Sequence, residues 1–320
     1  MTSRASVLVI AIVLLLTVVM PVSAYSLADD MAKAKPGDTI IVPKGTYTEY
    51  DIVIDKPVTV IGDDAIIDAN HKGGAFVIRA DGVTLEGFTI INTATAKQFA
   101  LNPAPKLDDR GEPIPVDEKS LTYGVPRGAI RVFGDYTILR DITITGGQIG
   151  IQAYAAQSGL IDECIITDTE HAGILLEYGA DGWGIHNSEI TGCADGIRIQ
   201  GSYSIPATGA HVTDTVITDS ARNGVSVMGY APENEIRRVT VTNNGDLAVY
   251  VGKDTPGAVI RDNVFETSAS KSFGANGDVH VAVPKTGDFN IGSNNMRDAP
   301  GGPIKGIFEF FGWGVIRYEV

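Results

Sequence analysis

Apolar side chains recur at every second position along most of this chain, in short runs such as Thr39-Ile40-Ile41-Val42, Val58-Thr59-Val60-Ile61 and Gly196-Ile197-Arg198-Ile199. A period of two is the period of a strand, and no helical period competes with it. Gly, Asn and Asp separate the runs and supply turns and left-handed backbone. One segment differs. Ser26 to Lys35 reads as a short helix, with Ser26 as N-cap, Asp29 three residues on and Pro36-Gly37 after it.

The runs form a repeat from about residue 138. An acid or amide stands two residues ahead of a strand and three ahead of a branched apolar residue: Asp141/Ile144, Glu163/Ile166, Asn187/Ile190, Asp214/Ile217 and Asp262/Phe265, with Arg238/Val241 as a basic variant. Gly then opens a second strand in Gly150-Ile151, Gly173-Ile174, Gly196-Ile197 and Gly224-Val225, with Ala248-Val249 as a weaker copy. Copies lie 22 (141 to 163) to 27 (187 to 214) residues apart. A strand-only unit this short cannot bury its own apolar face. Stacked coils can, each pairing with the next at roughly 4.8 Å. The predicted fold is all-β: a single-stranded right-handed parallel β-helix, a solenoid, with a short N-terminal capping helix. The helix over 25–37 would cover strand edges that otherwise invite aggregation. The solenoid is expected over 38–295. A Pro-rich stretch, 93–127, interrupts it as an inserted loop, and an aromatic tail, 296–320, is expected to cap the last coil.

The run Pro36-Gly37-Asp38-Thr39-Ile40-Ile41-Val42-Pro43-Lys44-Gly45-Thr46-Tyr47, followed by Val58-Thr59-Val60-Ile61-Gly62, resembles the opening of pectin-lyase-like right-handed β-helix proteins. The later Gly-Ile coils are similar to the carbohydrate-binding and sugar-hydrolysis repeats of that superfamily, and to NosD-type periplasmic and cell-surface β-helix proteins. What the resemblance implies is a ligand cleft on the outer face of one parallel sheet. It does not imply one activity, because the fold carries lyases, hydrolases, esterases, epimerases and non-enzymes. The polygalacturonase-like Gly-His-Gly, the methylesterase-like Gln-Asp-Thr-Leu and the epimerase-like Asp-Pro-His segments are missing from the sequence. Gly196-Ile197-Arg198-Ile199-Gln200 resembles the end of a polygalacturonase Arg-Ile-Lys motif, with Gln in place of Lys.

The N-terminus reads as an export signal over 1–24. Arg4 precedes an apolar run, Val7 to Met20, and Val22-Ser23-Ala24 offers small residues for cleavage. The run falls short of the ~20 residues that span a bilayer. A secreted, periplasmic or cell-surface protein without a stable membrane span is therefore expected. The formal net charge of −14 argues against nucleic acid as a partner and for a soluble, acidic surface. Two cysteines, Cys164 and Cys193, fall at different places in the repeat and are not expected to pair. No cofactor is expected. A calcium row along the Asp141–Asp262 ladder is the alternative that carboxylate oxygens would permit, and Arg238 in that column opposes it.

Alternation also predicts which side chains face out of the Gly-initiated strands. One outward row is Arg131, Gln152, Leu175, Arg198, Ser226, Tyr250 and His280. A second is Phe133, Tyr154, Glu177, Gln200 and Met228. Tyr178, Asp181, Trp183, Tyr203 and Tyr230 follow just past the strands. Aromatic rings can stack on the apolar faces of sugars, and amide or charged groups can bond their hydroxyls. Arg131, Phe133, Tyr154, Tyr178, Trp183, Tyr203 and Tyr230 are the candidate ligand-binding residues. Glu177, Arg198 and Asp195 are the candidate catalytic residues: two carboxyl groups for hydrolysis, or a base beside a cation for uronate chemistry. Cross-strand stabilisation of a solvent-facing sheet explains the same residues without a ligand. A polysaccharide or glycan is the expected partner. The expected role is carbohydrate-binding or adhesive surface protein. A polysaccharide lyase, glycoside hydrolase or epimerase is the alternative, and a NosD-like accessory protein a third.

Overall fold

The computed structural model describes residues 25–97, 128–252 and 255–266, and strand backbone at 279–281, 290–292, 295–297, 306–309 and 315–318. The expected leader 1–24, most of the 93–127 insertion and the aromatic side chains of the tail lie outside the described residues. Among the described residues, no helix is long and apolar enough to cross a membrane.

The chain coils as a right-handed parallel β-helix. Among the described residues, one sheet holds nine parallel strands, one per coil, from Ile52–Ile54 through Gly128–Val132, Ile149–Tyr154, Ala172–Glu177, Asp195–Gly201 and Val225–Gly229 to Val279–Val281. The remaining strands of each coil, such as Leu160–Asp162 and Ile165–Thr167, join an eighteen-stranded sheet on the other sides. Most coils stack in unbroken register, with one shift between Ile61 and Ala65. Ile151, Ile174, Ile197, Val225 and Val249 form one inward column, and Ile144, Ile166, Ile190, Ile217, Val241 and Phe265 form another. All of these are buried. Each fully buried side chain of this size contributes about 1.5–3 kcal/mol, which a coil realises only when neighbours cover it.

The recurrent acid-or-amide column is a left-handed corner. Asp141, Glu163, Asn187, Asp214, Arg238 and Asp262 all have φ between 48° and 59°. Such a residue turns the chain sharply between two strands, and Asn and Asp tolerate it best. Arg238 occupies the same conformation and holds the Asp214 carboxylate through Nε at 2.8 Å and Nη2 at 2.6 Å. A second column, Gly146, Asp168, Gly192, Asp219 and Asn243, is also left-handed.

At the N-terminus, the helix Leu27–Lys33 buries Leu27 and Met31 against the first coils. The Glu49 carboxylate accepts the Leu27 and Ala28 amide protons, both at 2.8 Å, which satisfies free donors of the first turn. The insertion departs from the coil close to the Gly146–Gln148 corner. Ala94 accepts from the Gln148 amide, and the Ala96 amide donates to Glu170 Oε2 at 2.7 Å. This corner leads into the nine-stranded sheet.

Candidate functional site

The nine-stranded sheet carries the outward residues in the rows that alternation predicts. Arg131, Gln152, Leu175, Arg198, Ser226, Tyr250 and His280 are successive register partners. Tyr154, Glu177, Gln200 and Met228 form the parallel row two residues on. Much of the first row is shielded, however: Arg131, Gln152, Leu175 and Ser226 are buried although they face away from the core. Ile149, Ala172 and Leu175 form a separate small apolar cluster on this outer face.

The polar side chains form two hydrogen-bonded runs spread over four coils. The Gly128 amide donates to Gln152 Oε1 at 3.1 Å, and Gln152 Nε2 donates to Glu177 Oε1 at 2.6 Å. Arg198 Nε donates to Gln200 Oε1 at 2.9 Å, and Gln200 Nε2 donates to the Tyr178 hydroxyl at 2.9 Å. Glu177 is 8% exposed. Burial pushes its carboxyl above the usual range, while the bond from Gln152 and the Arg198 charge pull it back.

Asp195 begins the next strand and is buried. Arg222 grips it with two bonds, Nη2 to Oδ2 at 2.8 Å and Nε to Oδ1 at 3.2 Å, and Arg198 Nη1 lies 3.6 Å from Oδ2. Arg222 also donates to the His171 carbonyl at 3.2 Å. His171 is held below its ordinary pKa by burial first, then by the Arg198 and Arg222 charges. Arg198 thus lies beside Asp195 while its charge reaches Glu177, and the three candidate catalytic residues share one outer face.

Aromatic rings border this polar centre. Phe133 and Tyr154 lie 6.3 Å apart, centroid to centroid, and Tyr154 and Tyr178 5.9 Å apart. Tyr203 and Tyr230 form a second pair at 4.8 Å. The Tyr203 loop, Ser202–Pro206, docks on the Tyr178 turn through the Gly179 amide, which donates to Pro206 O at 2.7 Å. Tyr203 is 87% exposed, and Ile205 beside it is also exposed. The strip therefore advances coil by coil along the solenoid axis.

Two of the expected ligand contacts are buried. Trp183 is 0% exposed. Its ring covers Gly159, and its Nε1 donates to Ala156 O at 2.8 Å, so it belongs to the core. The left-handed Gly182 ahead of it turns the chain inward. Arg131 faces out as expected, yet it is buried and paired with Asp51 at 2.8 Å. Asp181, just past the strand, caps a loop by accepting the Thr208 amide. Sequence reasoning missed Arg222, His171 and Asp51. Arg222 follows the left-handed Asp219 corner, and nothing in its own repeat marks it. Among the described residues, no group of three or more His, Cys, Asp or Glu side chains is arranged to hold a metal ion.

The family model described as right handed beta helix region matches residues 178–301. No curated protein matches the chain by sequence. Among solved structures, the surface adhesin PfbA of Streptococcus pneumoniae superposes with a TM-score of 0.55 at 13% identity, over 85% of this chain and 75% of the adhesin. The endo-xylogalacturonan hydrolase of Aspergillus tubingensis gives 0.55 at 12%, over 82% of this chain and 86% of the hydrolase. The catalytic unit of a GH87 alpha-1,3-glucanase from Streptomyces thermodiastaticus gives 0.53 at 13%, over 84% of this chain but only 51% of the glucanase. At such identities the likeness is one of fold, and it spans an adhesin and two hydrolases alike.

Proposed function

We propose that this chain, a right-handed parallel β-helix of the pectin-lyase-like kind, is an exported glycan-binding protein that engages a polysaccharide along its aromatic strip. The observation that carries this reading is the sequence of rings Phe133, Tyr154 and Tyr178, then Tyr203 and Tyr230, beside an amide-rich row. Ring faces accept the apolar faces of sugars, and Gln200, the Tyr178 hydroxyl and Arg198 bond to hydroxyl groups. A solenoid presents one such set per coil, which suits a linear polymer lying along its axis. The adhesin and the polysaccharide hydrolases among its structural neighbours are compatible with this role.

The test is affinity electrophoresis of residues 25–320 against a panel of soluble polysaccharides. Retardation by at least one polymer is expected, and Tyr203→Ala with Tyr230→Ala should weaken it about tenfold. That loss corresponds to about 1.4 kcal/mol, the worth of one good aromatic contact. Unchanged mobility with every polymer would overturn the reading.

A second reading, catalysis, rests on Glu177 and Asp195. Their carboxyl groups sit in unlike environments: one is buried against an amide, the other is held by two guanidinium groups. Pairs of that kind divide acid and base roles in polysaccharide-cleaving enzymes. Product sizes after incubation with each polymer decide it. Depolymerisation that Glu177→Gln abolishes would make the protein an enzyme, and intact polymers would leave it a binder.

A further inference from the structure

Resting on the glycan reading above, we infer that the polymer this face selects is uncharged, in contrast to a polyuronate. A site for uronates must present guanidinium or ammonium groups whose charge is available to carboxylates on the ligand. Three arginines on this face are already committed to acids. Arg131 is bound to Asp51 at 2.8 Å. Arg222 is bound to both oxygens of Asp195. Arg198 lies 3.6 Å from the same carboxylate and spends its Nε on Gln200. Two arginines thus face two acids, Asp195 and Glu177, and the local charge is balanced. The strip itself (Tyr154, Tyr178, Gln200, Tyr203, Met228 and Tyr230) is neutral and rich in ring faces and amide or hydroxyl groups. Beyond it lies the field of a chain with net charge −14, which repels polyanions.

The experiment compares retardation by neutral polymers (β-glucan, xylan, mannan) with retardation by polygalacturonate and alginate, at low and at high salt. Retention by a neutral polymer is expected, insensitive to salt, with the polyuronates bound at least tenfold more weakly at low salt. The charge balance itself is tested with Asp195→Asn, which removes the partner of Arg198 and Arg222 and should confer polygalacturonate binding that salt abolishes. Asp51→Asn, which releases Arg131, serves the same purpose should Asp195→Asn fail to fold. Polyuronate binding by the unaltered protein at equal or greater strength would overturn the inference and leave the glycan reading standing. Binding of no polymer would overturn both. Folded variants that gain no polyuronate affinity would show that charge compensation is not the basis of selection, and would also overturn it.

Discussion

Gln152 donates its amide proton to Glu177 at 2.6 Å from the neighbouring coil, on a face that points away from the core, and both side chains are nonetheless buried. A buried carboxylate bonded to a neutral amide is less favoured than the same group in water, so the bond and the burial act in opposite directions, and burial dominates.

This relationship fixes a pH dependence. The Glu177 carboxyl has a higher pKa in the folded chain than in the unfolded chain, so folding favours its protonated form. Its contribution to stability is complete below the ordinary glutamate pKa of about 4.3 and is lost as pH rises through the elevated folded value. Glu177→Gln removes the titration while keeping an oxygen to accept from Gln152. The variant should melt higher than the parent at neutral pH, and the two should converge near pH 4. Thermal melts across that interval measure it. A variant that melts lower at neutral pH would show that the ionised carboxylate is favourable in place.

Trp183 gives a second prediction. With its ring fully buried and its Nε1 bonded to Ala156 O, Trp183→Ala leaves a cavity and an unpaired carbonyl. The expected cost is about 3–5 kcal/mol. A Cβ at Gly159 would come within 2.4 Å of the same ring, so Gly159→Ala should cost roughly 1–3 kcal/mol by overpacking. Denaturant titrations measure both. If Trp183 bound a ligand at the surface, its loss would instead leave stability unchanged.

How far the sequence foretold these features depends on their range along the chain. The outward rows from Arg131 to Tyr250 were legible because a strand's side chains alternate with a period of two, and one correct anchor sets every other position. The inward turn of Trp183 was not. Its direction depends on a left-handed glycine and on the space above Gly159, which lies in a different coil. Arg222 reaches Asp195 over 27 residues and Arg131 reaches Asp51 over 80, so no local spacing announces either pair. The polar corner column was visible as Asp141, Glu163, Asn187, Asp214 and Asp262. Its left-handed backbone explains the exception, since Arg238 meets the same φ requirement at a steric cost. The second column mixes Gly with Asp and Asn, and no single residue type reveals it.

These corners support a third prediction. Asn187 has a φ of 48°, and its Nδ2 donates to Asp162 Oδ1 at 2.9 Å in the preceding coil. A β-branched residue cannot adopt that backbone cheaply. Asn187→Val should cost roughly 1–2 kcal/mol from the left-handed conformation alone, whereas Asn187→Gly should stay within about 1 kcal/mol of the parent. Equal stability of the two variants would mean that the corner relaxes out of the left-handed region.

Cys164 and Cys193 supply the last prediction. Both are free and fully buried, and they stand in different corner columns, Cys164 stacked above Ser188 and Cys193 beside Thr169. Burial pushes the Cys164 thiol up to about 12 and raises that of Cys193 as well, so neither offers appreciable thiolate at pH 8. The thiolate is the species that reacts with alkylating and disulfide reagents. The native protein should therefore resist a thiol reagent at pH 8, and two thiols should react promptly once denaturant opens the coils. The number of thiols titrated should be the same with and without prior reduction. Rapid labelling of the native protein would mean that the Cys-bearing corners open on the timescale of the assay, and a titre that rises after reduction would mean that the two cysteines had been oxidised together.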